Sequence, residues 1–170
     1  MDVGGLNMAH PVYFIDTSIL VNILRVPKKC QDADAVKREL EILMKENYTM
    51  ILPRAALVET GNHIAHIDDA KRRRTCAEKF SQLIMKSLNG EAPWTYNAHQ
   101  VTEDTLKMMA KCFPDYAQQY DMGWGDLSIL SECMDYQRLV GRHTKVKVWS
   151  KDQHFDVLEG IESISSISST

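Results

Sequence analysis

Val12-Tyr13-Phe14-Ile15-Asp16-Thr17-Ser18-Ile19-Leu20 is the stretch from which the rest of the chain is organised. Four β-forming apolar residues stop at an acid and two hydroxyl residues, and Ile19, Leu20, Ile23 and Leu24 then recur at helical spacing. A continuous apolar run offers no polar face to water, so it reads as a buried strand. The change of period marks its passage into a helix. Outward from there, Asp32 to Asn47 is periodic, with Val36, Leu40, Leu43 and Met44 on one side. Tyr48 to Leu52 reads as a second strand. Pro53 suits the first turn of a helix, and Ala55 to His66 carries the helical pattern through Leu57, Val58 and Ile64.

Further along, Asp68 to Leu88 reads as a longer helix ending at Asn89-Gly90, and Pro93 to His99 as a turn or short strand. Thr102 to Gln119 is helical with an interruption at Pro114. Gly123-Trp124-Gly125 reads as a loop, Asp126 to Val140 as a helix stopped by Gly141, and Val146 to Trp149 as a strand ending at Ser150-Lys151-Asp152. The Ser- and Ile-rich tail, Ile161 to Thr170, suits a last edge strand. No repeat and no long linker divides the chain, so residues 1–170 are expected to form one domain. Strands alternating with helices predict an α/β fold with a mainly parallel sheet.

Composition narrows the functional classes. At 44% hydrophobic residues the chain can build a core, and no apolar run approaches the ~20 residues that cross a bilayer. Met1 to Pro11 lacks a basic start followed by an apolar stretch, so a cytoplasmic protein without a signal peptide is expected. Cys30, Cys76, Cys112 and Cys133 are scattered, with no C-x-x-C pair, and read as buried or half-buried free thiols rather than zinc ligands. A formal net charge of -3 argues against a simple module that binds nucleic acid by backbone neutralisation. It is compatible with an acidic metal site, where the bound cation reverses the local sign.

In open parallel sheets ligand sites form beyond the carboxyl ends of strands. Asp16 and Asp152 follow the two apolar strands at 12–15 and 146–149. Glu59 sits about a turn into one helix, and Asp126 begins another. In a parallel sheet these helix starts share a side with the strand ends, so four acids spread over the chain can meet in one cleft. Two also have a purely structural reading, Asp126 as an N-cap and Glu59 as a surface residue of an amphipathic helix, whereas a cap role beside Asp16 can go to Thr17 or Ser18. Asp156 is a rival to Asp152. Clustered carboxylates repel unless a cation joins them, and hard oxygen donors select Mg²⁺ or Mn²⁺. Such an ion polarises a phosphodiester and lowers the pKa of an attacking water.

At this point four segments resemble a known family: VYFIDTSILVNIL with Asp16, ILPRAALVETGNHI with Glu59, YDMGWGDLSILSE with Asp126 and VKVWSKDQHF with Asp152. In order and spacing they are similar to PIN-domain ribonucleases, of the kind found as the toxin half of VapBC-type toxin–antitoxin pairs. The resemblance implies a three-layer α/β/α sandwich with a mainly parallel central sheet. It also implies Mg²⁺ or Mn²⁺ as cofactor, RNA as substrate, an antitoxin partner and a homodimer. Asp16, Glu59, Asp126 and Asp152 would be the catalytic, metal-binding acids. Ser18 matches a hydroxyl residue that often follows the first acid, Asp121 an extra acid before the third, and Ser150 stands where the family often has Thr. The chain is longer than a typical toxin of this kind, chiefly through Asp68 to Pro93 and the tail.

Other features have two readings each. Lys71-Arg72-Arg73-Arg74 is either a rim that receives an RNA backbone or a solvated helix face paired with Asp68, Asp69 and Glu78. Arg54 is within reach of a phosphate or simply exposed. Glu59, His63 and His66 share a helical face but lack the H-E-x-x-H pattern of zinc hydrolases. Trp124 either stacks a base or plugs the core. Met108, Met109 and Phe113 suit helix packing or a dimer face. Two alternatives stand beside the nuclease. Aspartyl-phosphate chemistry would want an acid where Ser18 stands. A catalytically silent PIN-like scaffold, binding nucleic acid or protein, would be expected to have lost some of the acids.

Overall fold

The computed structural model describes residues 10–152 and residue 155. β1 (Val12–Ile15) runs into α1 (Thr17–Ile23), followed by α2 (Ala33–Lys45), β2 (Thr49–Leu52), α3 (Arg54–Ala65) and α4 (Ala70–Leu88). β3 (Thr95–Tyr96), α5 (Glu103–Tyr120), α6 (Trp124–Val140) and β4 (Val146–Trp149) complete the order. The strands form one sheet in the order β3-β2-β1-β4, and every pairing is parallel. The α/β architecture with a parallel sheet is as the sequence predicts.

The period of two along each strand sorts side chains onto two faces. Val12, Phe14 and Ile51 pack with Cys133 of α6, and Phe14 meets the Tyr136 ring edge-on at 5.5 Å. The alternate residues, Ile15, Met50, Leu52 and Trp149, join a larger core with Leu20 of α1, Val36 and Leu43 of α2 and Ile64 of α3. Helices therefore cover both faces, and β1 in the middle is wholly apolar because neither face sees water.

Because β1 pairs with β2 on one side and β4 on the other, the chain reverses its winding between β1 and β4. The crevice at the carboxyl ends of those two strands is where such folds bind ligands. Asp16 continues the ladder there, its N–H donating to the Trp149 carbonyl at 3.0 Å.

Several boundaries differ from the sequence reading. Gly123-Trp124-Gly125 is not a loop: α6 begins at Trp124, with Gly123 as its N-cap. Asp126 is the third helical residue, and its Oδ2 accepts the Gly123 N–H at 3.1 Å, which closes the first turn despite two glycines. Pro114 does not interrupt α5; Met109, Phe113 and Tyr116 pack into the core on either side of it, and the missing amide bond is tolerated. Pro53 is the N-cap of α3 rather than a residue of its first turn. Asn47 ends α2's exit in the left-handed region, at φ 56°. The cysteines are free thiols, two buried and two half-buried, as expected. Asp156 and the expected edge strand in the tail lie outside the described residues.

Candidate metal-binding cleft

Asp16 stands at the end of β1 and is fully buried. Its Oδ2 accepts three bonds: from the Ser18 backbone N–H at 3.2 Å, the Ser18 hydroxyl at 2.6 Å and the Ser150 hydroxyl at 2.7 Å. Its Oδ1 is buried and has no hydrogen-bond partner. Burial pushes the carboxyl up from its ordinary range; the bonds from Ser150 and Ser18 work against that, and the negative charge of Asp152 adds to the rise. The same hydroxyls that hold Asp16 also fix the neighbouring loop. Ser18 Oγ accepts the Lys151 N–H at 2.9 Å, and Ser150 Oγ accepts the Asp152 N–H at 2.9 Å. The ends of β1 and β4 are thus laced together by two serines. Asn22, buried on α1, donates to the Ser18 carbonyl at 2.7 Å and accepts the Asp32 N–H at 2.9 Å, tying the start of α2 to the same corner.

Directly after Asp16, Thr17 and Ser18 enter the wall of a cleft of about 350 Å³. Thr17, Ser18, Glu59, Asp126, Lys151 and Asp152 line it, with Lys29 and His63 at its edge. Three of the four expected acids therefore share one cavity; the fourth, Asp16, does not line it but is bonded to Ser18, which does. Glu59 reaches the cleft from α3 and accepts the Thr17 hydroxyl at 2.7 Å. Its carboxylate also lies against the backbone of α6. A Cβ placed on Gly125 would come within 1.8 Å of Glu59 Oε1 and 2.2 Å of its Cδ. Gly125 makes room for the Glu59 carboxylate, a role that the sequence reading, treating it only as a loop residue, does not contain. Its signal was present in the unusual choice of glycine in a first helical turn.

Among the described residues, no three His, Cys, Asp or Glu groups stand in metal-binding geometry. Three of the four acids are held by donors of the protein: Asp16 by the serines, Glu59 by Thr17, Asp126 by the Gly123 amide. The residues nevertheless fit a hard divalent cation. The donors are carboxylate oxygens, and one buried carboxylate oxygen has no donor of its own.

The other sequence candidates fall elsewhere. Asp121 is exposed and caps α5 in the left-handed conformation, at φ 52°, and does not line the cleft. Lys71 to Arg74 open α4 in a solvated turn: Asp69 accepts the Arg72 N–H at 2.7 Å, Arg73 donates to the Ile67 carbonyl at 2.9 Å and Arg74 pairs with Glu78 at 2.8 Å. None of the four lines the cleft. His66 is engaged with the Asn62 carbonyl of its own helix at 2.7 Å. His63 faces the cleft, and burial, with Lys29 close by, depresses its pKa against the opposing pull of Glu59. Lys29 and Lys151 were not singled out from the sequence, although Lys151 directly precedes Asp152. Lys151 is paired with Glu39 of α2, which also accepts the Trp149 indole N–H at 2.8 Å.

Arg54 opens α3 beside a second cavity of about 700 Å³, which shares Glu59 with the acidic cleft. The floor of this cavity is held by Glu132 of α6. Its carboxylate accepts the Asn97 amide at 2.6 Å and the backbone N–H groups of Ala55 and Arg54. Pro53 offers no side-chain cap to α3, so Glu132 supplies that cap from another helix. Burial raises the Glu132 pKa and these bonds partly offset the rise. Glu132→Ala is expected to lower stability by about 1 kcal/mol, read as a shift of the urea midpoint, because it leaves the half-buried Asn97 amide and the first amides of α3 without their partner.

Comparison with known proteins gives little beyond this geometry. No family model matches the chain, and no curated protein matches it. Among solved structures, the chain is similar to a chain of the crystal structure of VapBC2 from Rickettsia felis bound to a DNA fragment from their promoter. The identity is 15% and the TM-score 0.46, over 82% of this chain and 99% of that one.

Proposed function

We propose that this chain is a metal-dependent endoribonuclease that hydrolyses RNA phosphodiester bonds. The observation that carries the reading is the unpartnered, buried Asp16 Oδ1, in the residue directly before Thr17 and Ser18, which line one cleft with Glu59, Asp126 and Asp152. Asp16, Glu59, Asp126 and Asp152 would hold Mg²⁺ or Mn²⁺. When bound, such an ion neutralises charge on the phosphodiester and acidifies a water. The protein's own part is positional. Ser18 and Ser150 fix one Asp16 oxygen and leave the other without a donor. Thr17 and Gly125 place Glu59. Lys29 at the rim offers a positive charge to an incoming phosphate, which the acids alone would repel.

The test is twofold. EDTA should abolish cleavage of single-stranded RNA, and Mn²⁺ or Mg²⁺ should restore it. At an ion concentration of about 100 Kd, linkage adds about 2.7 kcal/mol. For a chain of this size that raises the thermal midpoint by about 5–10 °C. Undiminished cleavage after chelation, or no thermal response to either ion, would overturn the reading. The family resemblance extends the proposal to the toxin half of a toxin–antitoxin pair, and co-purification with the product of a short upstream reading frame tests that extension.

We see no observation favouring aspartyl-phosphate chemistry. Ser18 stands where that chemistry wants a second acid, and its hydroxyl is committed to Asp16.

A further inference from the structure

We infer that the larger cavity beside the acidic cleft is a base-binding subsite, taking an unpaired nucleobase next to the scissile phosphate of a single-stranded RNA. The inference rests on the nuclease reading for the identity of the strand, and on separate residues for the subsite. The two cavities are continuous in their walls: Glu59 lines both, and Gly125 lies directly behind it. A strand whose phosphate lies over the acids therefore has its neighbouring nucleotide at the mouth of the 700 Å³ cavity.

The lining suits a base. Trp124 is 41% exposed, although two other tryptophans of the chain, Trp94 and Trp149, are buried at 8% each. Its ring is braced edge-on by Phe113 at 5.2 Å, which holds an aromatic side chain in place at the cavity wall. Tyr96 stands in the same lining, and Arg54, His99 and Gln100 supply polar groups around it. The floor is fixed rather than soft, since Glu132 binds both Asn97 and the start of α3. An aromatic platform with a flanking cation is the combination that captures unpaired bases without regard to duplex geometry. A paired base cannot enter, because its Watson–Crick edge and both stacking faces are already occupied.

The experiment uses the whole chain with Asp16→Asn, so that RNA is bound and not consumed, in buffer containing Mg²⁺. Binding of a labelled single-stranded oligoribonucleotide is followed by anisotropy, and tryptophan emission is recorded in parallel. Emission should be quenched on binding, and the duplex form of the same RNA should bind more weakly. Stacking on an aromatic side chain is worth at least about 1 kcal/mol per base, so Trp124→Ala should weaken binding by about 5-fold or more. Val58→Glu provides a second variant. Val58 is 55% exposed in the same lining, so the change is tolerated by the fold and sets a negative charge beside Arg54. It too should weaken binding. Unaltered emission on binding, with both variants binding as the parent does, would overturn the subsite; so would the absence of any RNA binding. Metal-dependent cleavage by the unmodified chain is scored separately. Cleavage without Trp124-dependent binding sinks only the subsite, and Trp124-dependent binding without cleavage sinks only the nuclease reading.

Discussion

Asp16→Asn is expected to abolish RNA cleavage while leaving the fold in place. The substitution is nearly isosteric, and the amide oxygen can still accept from Ser18 and Ser150 as Oδ2 does. What it removes is a buried negative charge that burial already penalises, so little folding free energy is lost with it. What it cannot keep is the anionic oxygen that has no protein donor. If that oxygen helps to hold an ion worth about 4 kcal/mol in the transition state, cleavage falls by about 10³-fold. The metal-induced rise in thermal midpoint should fall with it. Circular dichroism and a melting curve show whether the fold survives. A variant that retains parental cleavage, or that is unfolded at room temperature, contradicts this account.

Gly125→Ala should also separate stability from activity, by moving a neighbouring acid rather than removing one. Alanine is the better helix former by about 1 kcal/mol, and Gly125 is the second residue of α6. Its Cβ would nevertheless fall 1.8 Å from Glu59 Oε1, so the Glu59 side chain must swing aside. The swing costs the bond from Thr17, about 1 kcal/mol, and the two terms nearly cancel in the folded state. Catalysis has no such compensation. A group displaced by an ångström or more can cost about 10²-fold. The expected result is an unchanged urea midpoint with cleavage reduced by about 10²-fold, and Gly125→Ser should behave alike because it carries the same Cβ. Parental activity in both variants would show that the Glu59 carboxylate is not needed where it stands.

How much of this was legible beforehand depends on the range of the interaction. The strand-to-helix passage at Asp16 was readable because hydrophobic period is a local property, and the same holds for 146–149. The parallel sheet followed from the alternation of elements. The acids were readable as positions, and the resemblance to PIN-domain ribonucleases supplied their grouping. The first turn of α6 was misread, because two glycines normally break a helix and the Asp126 side chain that closes the turn acts only once the turn is formed. Pro114 was misread for a similar reason: packing of α5 onto α6 outweighs one missing hydrogen bond.

By itself, then, the sequence determined the order of strands and helices and the strand ends at Ile15 and Trp149, and hence which acids stand at one edge of a parallel sheet. That is written in short-range periodicity. Only the tertiary structure decided how each acid is held: that Asp16 is buried with one oxygen left bare, that Ser150 shares it with Ser18 across 132 residues of chain, and that Gly125 makes room for Glu59. It also decided that Lys71 to Arg74 lie away from the cleft lining while Lys29 and Lys151 enter it. These are contacts between elements distant in sequence. Their energies depend on close packing and on distances of a few ångströms, which no local pattern encodes.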